Sequence, residues 1–464
     1  MKSTIAALAA LLTFASVAYA QPTDDATRAQ AREILQRSIA FNSSPEGGQT
    51  PQLAAYLAEL YRDGGFPAAD VLILPLENTA SLIVRYRGDG SGGRPILLLA
   101  HMDVVPALRA DWERDPFTMV EENGYFFGRG SLDNKTGIAH ITATLLRLKA
   151  EGFTPSRDLI VVFSGDEETL GHTVQNLLSD HRALLGEAEF ALNSDAGGGG
   201  LNDAGAPMGY EMQTAEKTYV SYRLTARNPG GHSSLPRADN AIFDLADAIN
   251  RVRTHQFAAM WNDTTLRSFG AASETIEGEL GAALRRFSQR PGDRRAAAII
   301  SRDPSWVGQV RTTCVPTLLA GGHAENALPQ SATVTVNCRV FPGVQVEDVQ
   351  AELQRVVGAN IEIQQTDPAF ASDASPLRED VLAAVNAAVR AVYPNAGVSP
   401  GMSAGATDGV YFRGAGIPTY GVGGVFMKFG DDFAHGLNER VPVDGFYNGL
   451  THWRVLIMTI AGPR

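Results

Sequence analysis

The sequence is short of cysteine, of positive charge and of long apolar runs, and each shortage narrows what the chain can do. Cys314 and Cys338 are its only two cysteines in 464 residues. They lack the Cys-x-x-Cys spacing of a structural zinc site, so any metal must be held by histidine and carboxylate. The pair is either a disulfide or two small core residues. Lys and Arg number 39 against 51 Asp and Glu, a formal charge of −12. That excess of anions leaves nothing to neutralise a phosphate backbone and excludes nucleic acid as a partner. Past residue 20 no stretch approaches the roughly 20 apolar residues that span a bilayer. Internal repeats and low-complexity segments are also missing.

What remains is the composition of a globular enzyme, 44% apolar and 19% charged. The length exceeds one ordinary core, so two domains are expected. The first 20 residues read as an export signal. Lys2 gives a positive start, residues 5–17 are mostly apolar, and Ala18, Tyr19 and Ala20 form a small-x-small cleavage site before Gln21. A periplasmic or secreted protein, free of the membrane after cleavage, is expected.

Residues 27–40 and 51–63 have helical spacing, and residues 81–86 read as a strand. Residues 95–100, 159–163 and 189–192 are short continuous apolar runs. Such runs suit strands buried on both faces of a parallel sheet. An amphipathic helix is expected over 134–150, between the first two runs, which is βαβ logic. From residue 214 the pattern changes to alternating strands (218–226, 310–319, 332–340) and helices (239–260, 276–290, 346–357). Helix-then-strand order resumes over 377–392 and 417–422. The expectation is an α/β domain of 21–213 and 371–464, with a mostly parallel sheet between helices. A smaller α+β unit of 214–370 interrupts it.

Each buried strand ends in polar residues: His101 and Asp103 after the first, Asp166, Glu167 and Glu168 after the second, Asp195 after the third. Ligands of open α/β sheets bind beyond the carboxyl ends of the strands. Asp103, two residues from His101, shares its face and is expected to accept a hydrogen bond from the far ring nitrogen. Gly128 and Gly130 allow the tight turn that brings Asp133 to the edge of the next helix, as a plain cap or as a carboxylate between two metals. Three adjacent acids at a strand end are costly unless cations neutralise them. Nitrogen and oxygen ligands suit zinc, with manganese or cobalt as alternatives.

Eight segments, in order, resemble one family. They are LAHMD at 99–103, GRGSLDNK at 128–135, SGDEE at 164–168, NPGGHS at 228–233, NALP at 326–329, CRVFP at 338–342, AGATD at 404–408 and AHGLNE at 434–439. The family is that of the zinc metallopeptidases, with glutamate carboxypeptidase, succinyl-diaminopimelate desuccinylase, aminoacylase and the carnosinase-type dipeptidases. The resemblance implies a catalytic α/β domain with an inserted lid that mediates dimerisation. It implies two metals held by His101, Asp133, Glu168, Asp195 and His435, with Asp133 as the bridge and Glu167 as general base. His232 would reach the oxyanion from the lid, usually of the other subunit. Asn326, Arg339 and the turn of Gly405, Ala406 and Thr407 would hold the substrate carboxylate. Asn134 replaces the family's usual second aspartate. Asp195, where many deacylases have glutamate, favours dipeptides. The implied activity is hydrolysis of dipeptides or short peptides with a free C-terminal carboxylate. The rivals are deacylation of N-acyl amino acids and a non-catalytic periplasmic binding protein.

Overall fold

The structure is a computed structural model that describes residues 24–463. The export signal expected over residues 1–20 lies outside them. A central sheet runs in the order Val71–Leu76, Thr79–Tyr86, Leu159–Ser164, Ile96–His101, Phe190–Asn193, Thr419–Gly421, Pro207–Glu216, Gly198–Leu201, Phe426–Lys428, and Val398–Ser403 also pairs with Pro207–Glu216. The four strands from Leu159–Ser164 to Thr419–Gly421 are parallel. Antiparallel pairs flank them, so the sheet is mixed with a parallel centre. Strands Ile96–His101 and Leu159–Ser164 are buried along their whole length, as continuous apolar runs require.

Helix Lys135–Ala150 is the crossover between those two strands, but it is not amphipathic. It is buried on nearly every face, Thr142, Thr144 and His140 included. It packs against helices Asp25–Ala40 and Val443–Ala461 and against the sheet, and a helix enclosed on all sides has no solvent face to mark. Helix Val443–Ala461 carries Gly445 and Gly449 within its buried face. Gly449 is a packing requirement: a Cβ there would stand 2.1 Å from Cε1 of His140.

A second, antiparallel sheet has the order Thr313–Gly321, Ser331–Val340, Thr218–Arg227, Ile361–Gln365. Helices Ala241–Thr254 and Val346–Val357 share a core with it, built on Tyr222, Leu224, Val334, Val336 and Leu353. Burial alternates along Ser331–Val340, as period-2 side chains against one covered face demand. Cys314 and Cys338 are directly paired across two strands and form a disulfide. Sequence periodicity over 239–310 found two helices. The structure has Ala241–Thr254, Asp263–Ala272, Gly278–Gln289, Arg294–Ile300 and the single turn Val307–Val310. Phe269, Leu284, Phe287 and Ile300 give the last four a core of their own. Among the described residues no helix is long and apolar enough to cross a membrane.

Candidate metal centre and active site

The carboxyl ends of three central strands converge. His101, the last residue of its strand, is 1% exposed. Its Nδ1 lies 3.0 Å from the main-chain oxygen of Asp103 and 3.5 Å from that residue's Oδ1. The carbonyl is therefore the nearer acceptor, and the expected carboxylate contact stands beside it at 3.5 Å. The Asp103 carboxylate also accepts the N–H groups of Glu167 (3.1 Å) and Glu168 (2.9 Å), tying one strand end to its neighbour. With Nδ1 turned to that carbonyl, Nε2 is the ring nitrogen that faces the other carboxylates and would meet a metal. Nε2 stands 2.8 Å from Oδ1 of Asp133 and 3.4 Å from Oδ1 of Asp195.

Asp133 sits between two histidines. Its Oδ1 faces His101 and its Oδ2 lies 3.2 Å from Nε2 of His435. His435 is also 2.9 Å from Oε2 of Glu168. Three groups of ligand atoms, each within 4.8 Å, result: His101–Asp133–Asp195, Asp133–Glu168–His435 and His101–Glu167–Glu168. The first two share only Asp133, an arrangement for two cations with one common carboxylate. Asp133 is not a helix cap, since the helix begins at Lys135 after Asn134. Nor do all three acids of the 166–168 run face the centre. Asp166 turns away and accepts the N–H groups of His172 (2.6 Å) and Thr173 (3.0 Å).

The electrostatics match crowded carboxylates around two imidazoles. Burial would depress His101, but Asp195, Asp103 and Asp133 outweigh it and hold the ring well above its ordinary pKa. Hydrogen bonding to Asp133 and Glu168 lifts His435 to about 10. Burial would raise Asp133, but His101 and His435 keep it below the usual carboxylate range. Burial first, then the charges of Asp133 and Glu168, push Asp195 up to about 7. Burial and the charge of Asp195 raise Glu167 well above its ordinary value. Cations placed among these groups would remove the repulsion, so the donor set fits divalent metals.

A cavity of about 540 Å³ opens over the centre, lined by Asp133, Glu167, Glu168, Asp195 and His435. Ala406 and Thr407 line it too. The Thr407 hydroxyl, however, donates to Glu216 (3.0 Å) and is not free for a substrate. Gly405 is exposed on the same turn. Arg339 reaches that turn from the second sheet, its Nη1 donating to the Ala404 carbonyl at 3.0 Å with its guanidinium 4.7 Å from the Tyr219 ring. His232 and Asn326 are not brought to the centre of their own chain. Both lie exposed beside a two-stranded ribbon in which Gly231–His232 pairs antiparallel with Ala327–Leu328. Nδ1 of His232 accepts the Ser234 N–H at 3.2 Å, so its Nε2 carries the proton.

Other histidines pack rather than ligate. His140 and His452 are buried on the carbonyls of Phe446 and Val422, and burial lowers them to about 4 and about 3. Asp431 is buried and accepts from Tyr125 and Arg440. Three acids escaped assignment although two lay inside quoted segments. Glu439, fully buried, pairs with Arg129 at 2.6 Å and accepts from the N–H groups of Gly130, Leu132 and Asp133. Asp408 accepts from the Ser164 hydroxyl beside the centre, and burial raises it to about 8. Glu216 pairs with Arg413 beneath the 404–407 turn. Arg129, Ser164 and Arg413 lie 310, 244 and 197 residues from Glu439, Asp408 and Glu216, so no local spacing could reveal the pairings.

Residues 97–459 match the model of Peptidase family M20/M25/M40. The N-fatty-acyl-amino acid synthase/hydrolase PM20D1 of Xenopus tropicalis is 30% identical over 375 residues, 78% of this chain and 71% of that protein. The probable carboxypeptidase S-like 2 of Dictyostelium discoideum is 28% identical over 60% of this chain and 54% of its own. In fold the chain resembles the M20 metallo-carboxypeptidase Sso-CP2 of Sulfolobus solfataricus, with TM-score 0.69 and 18% identity over 94% of this chain and 99% of that one. A match across most of its length, carrying the clustered ligand residues described above, makes this chain a member of the M20/M25/M40 peptidase family.

Proposed function

We propose that the protein hydrolyses an amide bond in dipeptides or short peptides that carry a free C-terminal carboxylate, with the help of two divalent metal ions. The observation that carries this is the pair of three-ligand clusters joined by Asp133, with the raised carboxyl of Glu167 beside them. His101, Asp133 and Asp195 would hold one ion and Asp133, Glu168 and His435 the other. Zinc suits these ligands best, with manganese or cobalt as alternatives. When bound, the ions polarise a carbonyl and acidify water. Glu167 takes the proton of the attacking water and hands it to the leaving amine. Asp103 fixes the backbone of Glu167 and Glu168, and Arg339 pairs with the substrate carboxylate.

A second reading, deacylation of N-acyl amino acids, is favoured by one feature. An adjoining cavity of about 680 Å³, also bordered by Glu167, has apolar walls of Leu170, Phe370, Val410 and Tyr411. The PM20D1 relatives carry a matching description. A chelator is expected to abolish hydrolysis of a dipeptide panel, and added zinc to restore it. Hydrolysis indifferent to chelation would sink both readings, whereas cleavage restricted to N-acyl amino acids would select the second.

The same reading includes a homodimer through the second sheet. Strand Thr313–Gly321 is an edge on which Val315, Leu318 and Leu319 are 55%, 69% and 71% exposed. A long apolar edge invites a covering strand, and a second copy would also supply the His232 that each centre lacks. Replacing Leu318 and Leu319 together by Glu is expected to convert a sedimenting dimer to monomer and to cut turnover at least about tenfold. A fully active monomeric parent protein would refute this. Export belongs to the reading as well, because a disulfide persists in oxidising compartments. An intact mass for a chain that starts at Gln21 is its check.

A further inference from the structure

Two acceptors in the wall of the metal-lined cavity have no donor. Glu211 and Gln213 stand two apart on strand Pro207–Glu216, so their side chains share a face. Both line the cavity that contains Asp133, Glu167, Glu168, Asp195 and His435. Glu211 is exposed to it, and among the described residues its carboxylate joins no hydrogen bond and no ion pair. Neither does it belong to any of the three ligand groups. The backbone is built to receive it. Gly401, on the neighbouring parallel strand Val398–Ser403, has no Cβ, and one placed there would stand 2.0 Å from Cδ of Glu211.

Gln213 is 1% exposed. Its Nε2 donates to Oε2 of Glu216 at 3.3 Å, and Glu216 is itself fixed by Arg413. Turning the amide round would set oxygen against a carboxylate, so Oε1 is held as the other end. That oxygen is buried without a donor, which is rare because it is costly. The wall therefore offers negative charge and acceptor capacity, with no cation of the protein to meet them. Desolvation raises Glu211, and no neighbouring positive charge opposes it.

We propose that Glu211, supported by Gln213, is the recognition point for a cationic group of the substrate, an ammonium or guanidinium. This rests on the peptide-hydrolase reading above and sharpens it. With Arg339 for the carboxylate and Glu211 for the cation, the cleft selects a dipolar substrate. The cation is either the α-ammonium of the first residue or a basic side chain, and the chemistry of recognition is the same.

The test compares kcat/KM for four substrates on the metal-loaded enzyme: Ala-Ala, N-acetyl-Ala-Ala, N-acetyl-Lys-Ala with a free side-chain amine, and N-acetyl-norleucyl-Ala. In Glu211→Gln the ratio of the matching cationic to neutral substrate is expected to fall about tenfold or more, mainly through KM. A fall confined to the Ala-Ala pair assigns the site to the α-ammonium. One confined to the Lys and norleucine pair assigns it to a side chain. Ratios unchanged in both pairs overturn the inference. Gly401→Ala, whose methyl group displaces the Glu211 side chain, is expected to move the same ratio, and it covers the case in which Glu211→Gln folds poorly. A parent enzyme that cleaves none of a broad amide panel would instead overturn the hydrolase reading itself.

Discussion

Glu167→Gln is expected to keep its full complement of metal and to lose about 10²–10⁴ in kcat, the range over which a positioned acid–base group contributes. The side chain is the one carboxyl of the centre that the two clusters joined by Asp133 do not need. Its backbone is anchored by the Asp103 carboxylate, so the amide variant keeps the place of the acid and removes only its ability to take a proton. Burial and the charge of Asp195 raise its pKa above the ordinary carboxylate value, the kind of perturbation found at acid–base groups. Glu167→Asp retains the group but shortens it, and it is expected to recover only part of the loss. Metal content by elemental analysis, measured beside kcat, decides the matter. Retained turnover, or loss of metal in step with activity, would remove Glu167 from the role of base.

His101, Glu168, Asp195 and Asp133 were legible as candidate ligands because each follows a buried apolar strand or a glycine turn, local patterns that survive folding, whereas His435 came only from the family resemblance. His101 and Asp195 are read from strand ends, and Asp133 from Gly128 and Gly130. The roles of their neighbours were not legible, since these depend on which way a side chain turns. Asp103 and Asp166 both flank ligands, yet one clamps two N–H groups of the centre and the other caps a turn away from it. His232 and Asn326 illustrate a different limit. The family resemblance gives His232 to the oxyanion and Asn326 to the substrate carboxylate, whereas a single chain leaves both exposed beside a two-stranded ribbon. The small helices between 263 and 310 were partly missed because each buries only a few apolar residues against the others, too few for a periodic signal.

The second large effect is expected at a residue that touches no ligand atom. Glu439→Ala should lower unfolding stability by about 3–5 kcal/mol, the cost of leaving a buried charge without its partner. Arg129 is 3% exposed and Glu439 is fully buried, so water cannot replace the lost carboxylate. The substitution also strips the acceptor from the N–H groups of Gly130, Leu132 and Asp133. Those groups set the turn that carries the shared carboxylate, and the effect of such supporting partners on metal affinity is typically about 10–100-fold. Two readouts separate the consequences: denaturant unfolding of the metal-free protein for the buried pair, and competition with a zinc indicator for the turn. Glu439→Gln keeps one acceptor oxygen but not the charge, so it should fall between Ala and the parent in both. If Glu439→Ala unfolded like the parent and bound zinc as tightly, the turn would be held by its glycines alone. The pairing with Arg129 would then be dispensable to the centre.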